Sequence, residues 1–230
     1  MTDFPFDAVL FDCDGVLVDS EPITNRVLTQ MLNEIGWPIS TDECMRIFIG
    51  KAVKDEIMLI EERTGVRLDA DWMAQFHERR NNALDQDLVE IPGAPQAARW
   101  LHDAVGGRVA VASGADRRKV ELQLNKIGLA DCFNGRVFSG QELARSKPFP
   151  DVYLTAAMAL GVDPARCAIV EDTTTGATAG LAAGATVFGY SPDNTAHSSA
   201  DALRAVGVQH VFANMSELPA LLKQWRPTVS

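Results

Sequence analysis

Two aspartates directly follow the first apolar run of the chain. The segment Phe6–Val16 reads FDAVLFDCDGV, and its carboxylates Asp12 and Asp14 are two residues apart. In an extended backbone, residues at that spacing point to the same side, and Gly15 allows a sharp turn after them. Paired carboxylates can supply a nucleophile and an acid or base. Taken alone, the pattern is equally typical of a solvated turn that closes a strand.

Two further segments could bind a phosphate. A second apolar run ends in Ser113 and Gly114, immediately before a predicted helix, where a hydroxyl and free backbone N–H groups suit a phosphate. Lys147 is followed by Pro148 and, two residues later, by Pro150, which stiffen the backbone around it. A plain turn and a solvated lysine are the ordinary alternatives. The flanking prolines favour a lysine that is aimed at a site.

A second acidic pair ends another apolar run. The segment CAIV leads into Glu171 and Asp172, and residues 177–184 are then rich in Ala and Gly, which suits a helix packed closely on a sheet. The ordinary alternative is that these two carboxylates only place negative charge at the start of that helix. Such a charge stabilises a helix by less than about 1 kcal/mol.

These four segments share one position, the carboxyl end of a predicted strand or the helix start that follows it. In open α/β sheets that edge is where ligands bind. Two like charges 4 Å apart repel by roughly 4 kcal/mol at an effective dielectric constant of 20. Four carboxylates and a phosphate in one crevice therefore need cations, and Lys147 and a hard divalent ion such as Mg²⁺ would supply them.

The elements that must position these residues follow a regular alternation. Val120, Leu124 and Ile127 repeat at helical spacing between two apolar runs, and buried strands separated by helices predict a parallel sheet covered on both faces. The expected fold class is α/β, with a Rossmann-like sheet. Six apolar runs are the predicted strands: Ala8–Phe11, Val109–Ala112, Val137–Phe138, Cys167–Val170, Thr186–Tyr190 and His210–Phe212.

Residues 17–91 predict an all-helical cap inserted after the first strand, between residues 1–16 and 92–230 of the catalytic core. A βα unit needs only a few tens of residues, so the excess length before the second strand indicates an insertion. Such an insertion would act as a lid. Four patterns predict its helices: the apolar face Ile23–Ile35 ended by Gly36, the capping box Ser40–Glu43, the face Val53–Ile60, and the run Trp72–Arg80.

At these residues the chain resembles the haloacid dehalogenase superfamily of hydrolases. It is most similar to the subgroup with a helical cap after the first motif, which includes β-phosphoglucomutase and sugar-phosphate phosphatases, among them enzymes acting on 6-phosphogluconate. The resemblance spans Phe6 to about Leu222, with four motifs in the family's order and spacing. It implies a phosphatase whose partner is a small phosphorylated metabolite.

The resemblance also implies a role for each motif residue. Asp12 attacks phosphorus and forms an aspartyl-phosphate, while Asp14 protonates the leaving oxygen and then helps to deprotonate the hydrolytic water. Ser113, the backbone of Gly114, and Lys147 hold the phosphoryl group. Most of the catalysis would be electrostatic stabilisation of the transferring group.

A Mg²⁺ cofactor is implied in the same way. Its ligands would be Asp12, the main-chain carbonyl of Asp14, and Asp172. Glu171 either ligates the ion directly or holds a metal-bound water. In this family the turn of the cap near residue 50 can reach the site, so Gly50 and Lys51 are candidate substrate contacts.

Two alternative functions stay open. The true dehalogenases of the superfamily lack the second aspartate of the first motif, so Asp14 favours phosphoryl transfer. A sugar-phosphate mutase is less favoured, because its gating histidine is matched here by Thr24 and its cap arginine by Val53, although Lys51 or Lys54 could substitute. The other alternative is a catalytically silent metabolite-binding protein with the same fold.

Charge and cysteine usage exclude several classes of partner. A formal net charge of -10 repels nucleic acid and anionic lipid, so neither is expected to bind. The N-terminal segment has no signal-peptide pattern, and a cytoplasmic protein, monomeric or weakly dimeric, is expected. Four cysteines lack metal-binding or redox-motif spacing and predict buried, reduced thiols: Cys13, Cys44, Cys132 and Cys167.

Overall fold

The computed structural model describes residues 4–48, 51–192 and 199–226. The chain divides into two compact units: residues Met1–Val18 with Glu90–Ser230, called the α/β unit below, and Asp19–Val89, called the helical unit. The sequence analysis predicted that the inserted unit is bounded by residues 16 and 92, whereas in the structure it is bounded by residues 18 and 90.

The described part of the α/β unit contains a six-stranded sheet in the order β3-β2-β1-β4-β5-β6, with every neighbouring pair parallel. Its strands are β1 (Ala8–Phe11), β2 (Val109–Ser113), β3 (Val137–Ser139), β4 (Cys167–Glu171), β5 (Thr186–Tyr190) and β6 (His210–Phe212). Central strands of a parallel sheet are buried on both faces, so they appear as continuous apolar runs. All six predicted strands are confirmed.

Helices pack on this sheet and complete the predicted α/β fold class. One face of the sheet, which includes Leu10 and Ile169, forms a buried cluster with apolar residues of α8 and α9. On β1 the neighbouring residue Phe11 packs its ring edge-on against Phe133 of α7, with centroids 5.8 Å apart. In the described residues of this unit the helices are α5 (Ala94–Ala104), α6 (Arg117–Lys126), α7 (Ala130–Phe133), α8 (Asp151–Leu160), α9 (Thr174–Ala182), α10 (Ala200–Ala205) and α11 (Leu218–Gln224).

The register of the three central strands positions the site. Phe11 at the end of β1 pairs with Val111 of β2 on one side and with Val170 of β4 on the other. The residues that follow these three positions therefore emerge at the same level on one edge of the sheet. The strand order also reverses at β1, and such a switch point is where open α/β sheets bind ligands.

The helical unit confirms the four predicted helical patterns: α1 (Glu21–Glu34), α2 (Thr41–Phe48), α3 (Ile57–Thr64) preceded by a 3₁₀ turn (Val53–Glu56), and α4 (Ala70–Asp87). The capping box is present, because the Ser40 backbone N–H donates to the Glu43 carboxylate and the Glu43 N–H donates to the Ser40 hydroxyl. Trp72 stacks on the buried Phe76, with ring centroids 6.1 Å apart, and packs against the apolar core of this unit.

All four cysteines are free and buried. Among the helices that the structure describes, none combines the length and apolar character that crossing a bilayer requires.

Candidate active site

Asp12 and Lys147 are in direct contact at the carboxyl edge of the sheet. Asp12 is the first residue after β1, and its backbone N–H donates to the carbonyl of Val170 at 3.0 Å, which continues the ladder to β4. Nζ of Lys147 lies 2.9 Å from Oδ1 of Asp12, although 135 residues separate the two along the chain. Both side chains are almost completely buried.

Glu171, the last residue of β4, is fully buried, and both its oxygens accept hydrogen bonds from the protein. Oε1 accepts hydrogen bonds from Nζ of Lys147 at 2.5 Å and from the hydroxyl of Tyr153 at 2.7 Å. Oε2 accepts from the backbone N–H groups of Asp172 and Thr173 and from the Thr173 hydroxyl, at 3.1–3.2 Å. Five donors therefore fix this carboxylate in one orientation.

Three carboxylates form a group that could hold a metal ion. Asp12, Glu171 and Asp172 each offer an oxygen, and these oxygens lie within 4.8 Å of one another. The donors are all oxygen atoms, which suits a hard divalent cation such as Mg²⁺. Gly15 has φ +77°, and a Cβ there would lie 2.2 Å from Oδ2 of Asp172, so the turn after Asp14 needs glycine to pass this carboxylate.

Burial and neighbouring charges both shift the pKa values of Asp12 and Lys147. Burial raises the pKa of Asp12 to about 7; the carboxylates of Glu171 and Asp14 add to the rise, and the ammonium of Lys147 opposes it. Burial lowers the pKa of Lys147, but the carboxylates of Asp12 and Glu171 outweigh it and hold that pKa well above its ordinary value. Lys147 is therefore charged, and the crevice favours additional positive charge.

The loop after β2 carries the predicted phosphate-binding residues. Ser113 is the buried last residue of β2, two positions beyond the Val111 that pairs with β1. Its hydroxyl accepts a hydrogen bond from the N–H of Ala115 at 3.1 Å. The Ser139 hydroxyl donates to the Ala115 carbonyl at 2.6 Å, and the side chain of Gln141 donates to the Gly114 carbonyl. These bonds hold the loop at the sheet edge that also carries Asp12.

Asp14 has two partners on α6. Nζ of Lys119 and Nε2 of Gln123 each lie 2.8 Å from Oδ1 of Asp14. Neither residue was predicted as part of the site from the sequence, and neither was Tyr153. The available signal was periodicity, because Lys119 and Gln123 fall on the same helical face as the apolar Val120 and Leu124.

The structure does not test the two predicted substrate contacts. Lys51 belongs to the helical unit, where its half-exposed side chain pairs with Glu56 at 3.3 Å. Gly50 lies outside the described residues. A role in substrate binding stays a prediction for both.

The fold and the site together define the class of protein. A parallel sheet whose carboxyl edge carries an acidic cluster and a buried lysine defines an α/β protein with a site suited to an anionic group beside a cation. The family model of haloacid dehalogenase-like hydrolases matches residues 6–184. The chain belongs to this family, as the sequence motifs predicted.

Named relatives include phosphatases. A 6-phosphogluconate phosphatase from Escherichia coli (strain K12) is 32% identical over 219 residues, which cover 94% of this chain and 95% of that protein. A phosphorylated carbohydrates phosphatase from Thermotoga maritima is 27% identical over 179 residues, covering 77% and 82%. The chain is thus an enzyme of the phosphatase type within this family.

A solved structure agrees with the assignment. The crystal structure of a haloacid dehalogenase family hydrolase from Deinococcus radiodurans, with bound phosphate and sodium, is 34% identical in sequence to this chain. It superimposes with a TM-score of 0.75 and covers 95% of each chain.

Proposed function

We propose that this chain is a Mg²⁺-dependent phosphatase that hydrolyses a small sugar phosphate or sugar-acid phosphate through an aspartyl-phosphate on Asp12. The observation that carries the proposal is the contact of Asp12 with Lys147 inside a cluster of three carboxylates. The buried carboxylate of Asp12 is held at a strand end with a cation beside it, and the acidic cluster to which it belongs could hold a metal ion.

In the first step, an Asp12 carboxylate oxygen attacks phosphorus, a P–O bond to Asp12 forms, and the P–O bond to the sugar oxygen breaks. Asp14 donates a proton to the departing oxygen. Ser113 and the Gly114 backbone hold the phosphoryl oxygens, and Lys147 neutralises part of their charge. Lys147 contacts the nucleophile, so its charge lies where the phosphoryl group arrives.

In the second step, water attacks the phosphorus of the aspartyl-phosphate. Asp14, now ionised, accepts a proton from that water, and the bond between phosphorus and Asp12 breaks to release phosphate and restore the carboxylate. The same acid–base residue therefore serves both halves of the reaction.

Mg²⁺ would be held by Asp12, the main-chain carbonyl of Asp14 and Asp172. When bound, it would supply positive charge that offsets the carboxylates and the phosphoryl oxygens. Glu171 is assigned an indirect role, because five protein donors already occupy its oxygens. It orients Lys147 and the backbone at Asp172, and would interact with the ion only indirectly.

The substrate class rests on the relatives. The Escherichia coli protein is named for 6-phosphogluconate and the Thermotoga maritima protein for phosphorylated carbohydrates. We extend the common chemistry, a phosphomonoester on a small sugar skeleton, to this chain.

A phosphate-release screen tests the proposal. Purified protein is incubated with sugar phosphates, sugar-acid phosphates, phosphoglycolate and nucleotides, with Mg²⁺ or with EDTA. The expected result is Mg²⁺-dependent release from at least one sugar or sugar-acid phosphate. Asp12→Asn should abolish it, and Asp103→Asn, at an aspartate whose side chain is 85% exposed, should leave it unchanged.

Full turnover by the Asp12→Asn variant would contradict the proposed nucleophile. Chromatography of β-glucose 1-phosphate reactions separates the mutase alternative, because that activity would yield an isomerised sugar phosphate faster than free phosphate. Metabolite binding in calorimetry without turnover of any ester would instead favour the silent binding protein.

A further inference from the structure

Lys119 and Gln123 converge on a single oxygen of Asp14. Nζ of Lys119 and Nε2 of Gln123 each lie 2.8 Å from Oδ1. The two residues are four positions apart on α6, so their side chains leave the same helix face one turn apart. The Asp14 carboxylate is thereby held by one rigid element that is distant in sequence.

Both donors are deeply buried. The Lys119 side chain is 8% exposed and Gln123 has no exposed surface. Lysine is seldom buried without a partner, because removing an ammonium from water is costly. The side-chain carbonyl of Gln123 accepts from Sγ of Cys13 at 3.2 Å, which directs the amide nitrogen towards Asp14.

The two lysines of the site serve different aspartates. Lys147 contacts Asp12, which is assigned to attack, and Glu171, which is assigned to orient Lys147. Lys119 contacts Asp14, which is assigned to proton transfer. The phosphate-binding role of Lys147 does not account for the presence of a second buried lysine, Lys119, beside Asp14.

We propose that Lys119, assisted by Gln123, is the positioning residue that aims the Asp14 carboxyl group at the leaving oxygen. This inference rests on the proposed phosphatase function. Proton transfer requires the acid within hydrogen-bond reach of the reacting oxygen, and small misplacements are costly in rate. Asp14 precedes the turn at Gly15, so backbone geometry leaves its side chain several rotamers. Two donors on one oxygen select one of them.

The test compares two esters that differ in their need for the acid. The alkyl ester 6-phosphogluconate must have its leaving oxygen protonated, whereas 4-nitrophenyl phosphate releases a stable phenolate. The ratio kcat/KM covers the steps through departure of the leaving group. Lys119→Met should lower kcat/KM for 6-phosphogluconate by about 10- to 100-fold, because general acid catalysis contributes roughly 10²- to 10⁴-fold. The value for 4-nitrophenyl phosphate should fall by less than about 3-fold on the same reasoning.

Three variants make the comparison decisive. Lys126→Met removes an exposed lysine of the same helix and should change neither ester. Lys119→Arg retains a cationic donor and should recover most of the activity on 6-phosphogluconate. Gln123→Met removes the second donor and should show the same selectivity to a smaller degree, and it decides the matter if Lys119→Met does not fold.

Equal losses on both esters, or no loss on either, would overturn the positioning role while leaving the phosphatase function intact. If another sugar or sugar-acid phosphate of the screen is hydrolysed faster than 6-phosphogluconate, that alkyl ester replaces it in the comparison. Wild-type protein that releases phosphate from none of these alkyl esters would contradict the proposed function, and this inference with it.

Discussion

At the scale of single residues, Tyr153 is a buried support of the site. Its hydroxyl donates to Oε1 of Glu171 at 2.7 Å, and its ring lies below Nζ of Lys147, 4.8 Å from the centroid. Burial, reinforced by the Glu171 carboxylate, raises the pKa of Tyr153 well above its ordinary value, so the hydroxyl keeps its proton. Tyrosine therefore acts here as a fixed donor.

Tyr153→Phe should lower the free energy of unfolding by about 1.5–3 kcal/mol, the usual contribution of a hydrogen bond to a charged group. It should also reduce phosphate release, because Glu171 loses one of the donors that orient it. Urea unfolding measures the first effect. A double-mutant cycle with Glu171→Gln isolates the coupling, and additive losses in the two single variants would contradict the interaction.

The four thiols should be unreactive in the folded protein. Burial raises the pKa of Cys132 to about 11 and that of Cys167 to about 12, and it also raises those of Cys13 and Cys44. Thiolate is the reactive form, so a thiol reagent at pH 8 should react slowly until a denaturant is added, and then with four groups. Rapid labelling of native protein would contradict this expectation.

The same pKa shifts give a sign for the pH dependence. Above the ordinary thiol pKa of 9.0, the unfolded chain loses thiol protons that the folded chain keeps. The stability contribution of Cys132 and Cys167 is complete below that pH and is lost as the pH rises towards their folded values. Urea unfolding between pH 8 and 11 should show this decline, which Cys132→Ala should reduce.

At the scale of elements, the start of α9 is built around Glu171. Gly176 lies in the first turn of the helix, and a Cβ there would be 1.7 Å from Oε1 of Glu171. Its N–H donates to the Thr173 hydroxyl, which caps the helix and itself donates to Glu171. The glycine thus allows the helix to begin directly over a buried carboxylate.

Gly176→Ala should therefore lower the free energy of unfolding by about 1–3 kcal/mol, as overpacking of a close-packed core does, and should reduce activity by displacing Glu171. Thr175→Ala is the matched control, since that neighbour is exposed and its truncation meets no clash. Thermal unfolding and phosphate release measured on both variants check the prediction. A Gly176→Ala variant as stable and active as wild type would show that Glu171 can move without cost.

The capping box of α2 gives a test within the helical unit. Ser40→Ala removes the acceptor for the N–H of Glu43 and the hydroxyl that donates to its carboxylate. Ser40→Ala should lower the free energy of unfolding by about 1 kcal/mol, whereas Ser40→Thr should keep most of the wild-type stability. Urea unfolding of the three proteins measures the difference. Equal stability of the alanine variant and wild type would mean that the cap contributes nothing.

At the scale of the whole molecule, metal binding should be visible as stability. A ligand that binds only the folded state stabilises by about 2.7 kcal/mol when present at 100 times its dissociation constant. Mg²⁺ should therefore raise the unfolding temperature of wild-type protein, whereas Asp172→Asn should show a much smaller rise. An equal rise in the unfolding temperature of both proteins would mean that Asp172 does not help to bind the ion.

Much of the fold could be predicted from the amino-acid sequence. Apolar runs at Ala8–Phe11 and Cys167–Val170 predicted the central strands because both faces of a parallel strand are buried, so the pattern is continuous. The Ala- and Gly-rich segment 177–184 predicted close packing, and a Cβ at Gly180 would indeed lie 2.8 Å from Val187. Carboxylates placed immediately after these two apolar runs predicted that acidic groups would meet at one edge of the sheet, and Asp12, Glu171 and Asp172 do lie together there.

Contacts between residues far apart in sequence could be identified only in the tertiary structure. The pairing of Asp14 with Lys119 and the bond from Tyr153 to Glu171 depend on how α6 and α8 are rotated and docked on the sheet. Local spacing reports which face of a helix is buried, but not which buried side chain on that face meets which partner. That choice is made by packing between elements far apart in sequence, and so the polar network that supports the two aspartates emerged only from the folded chain.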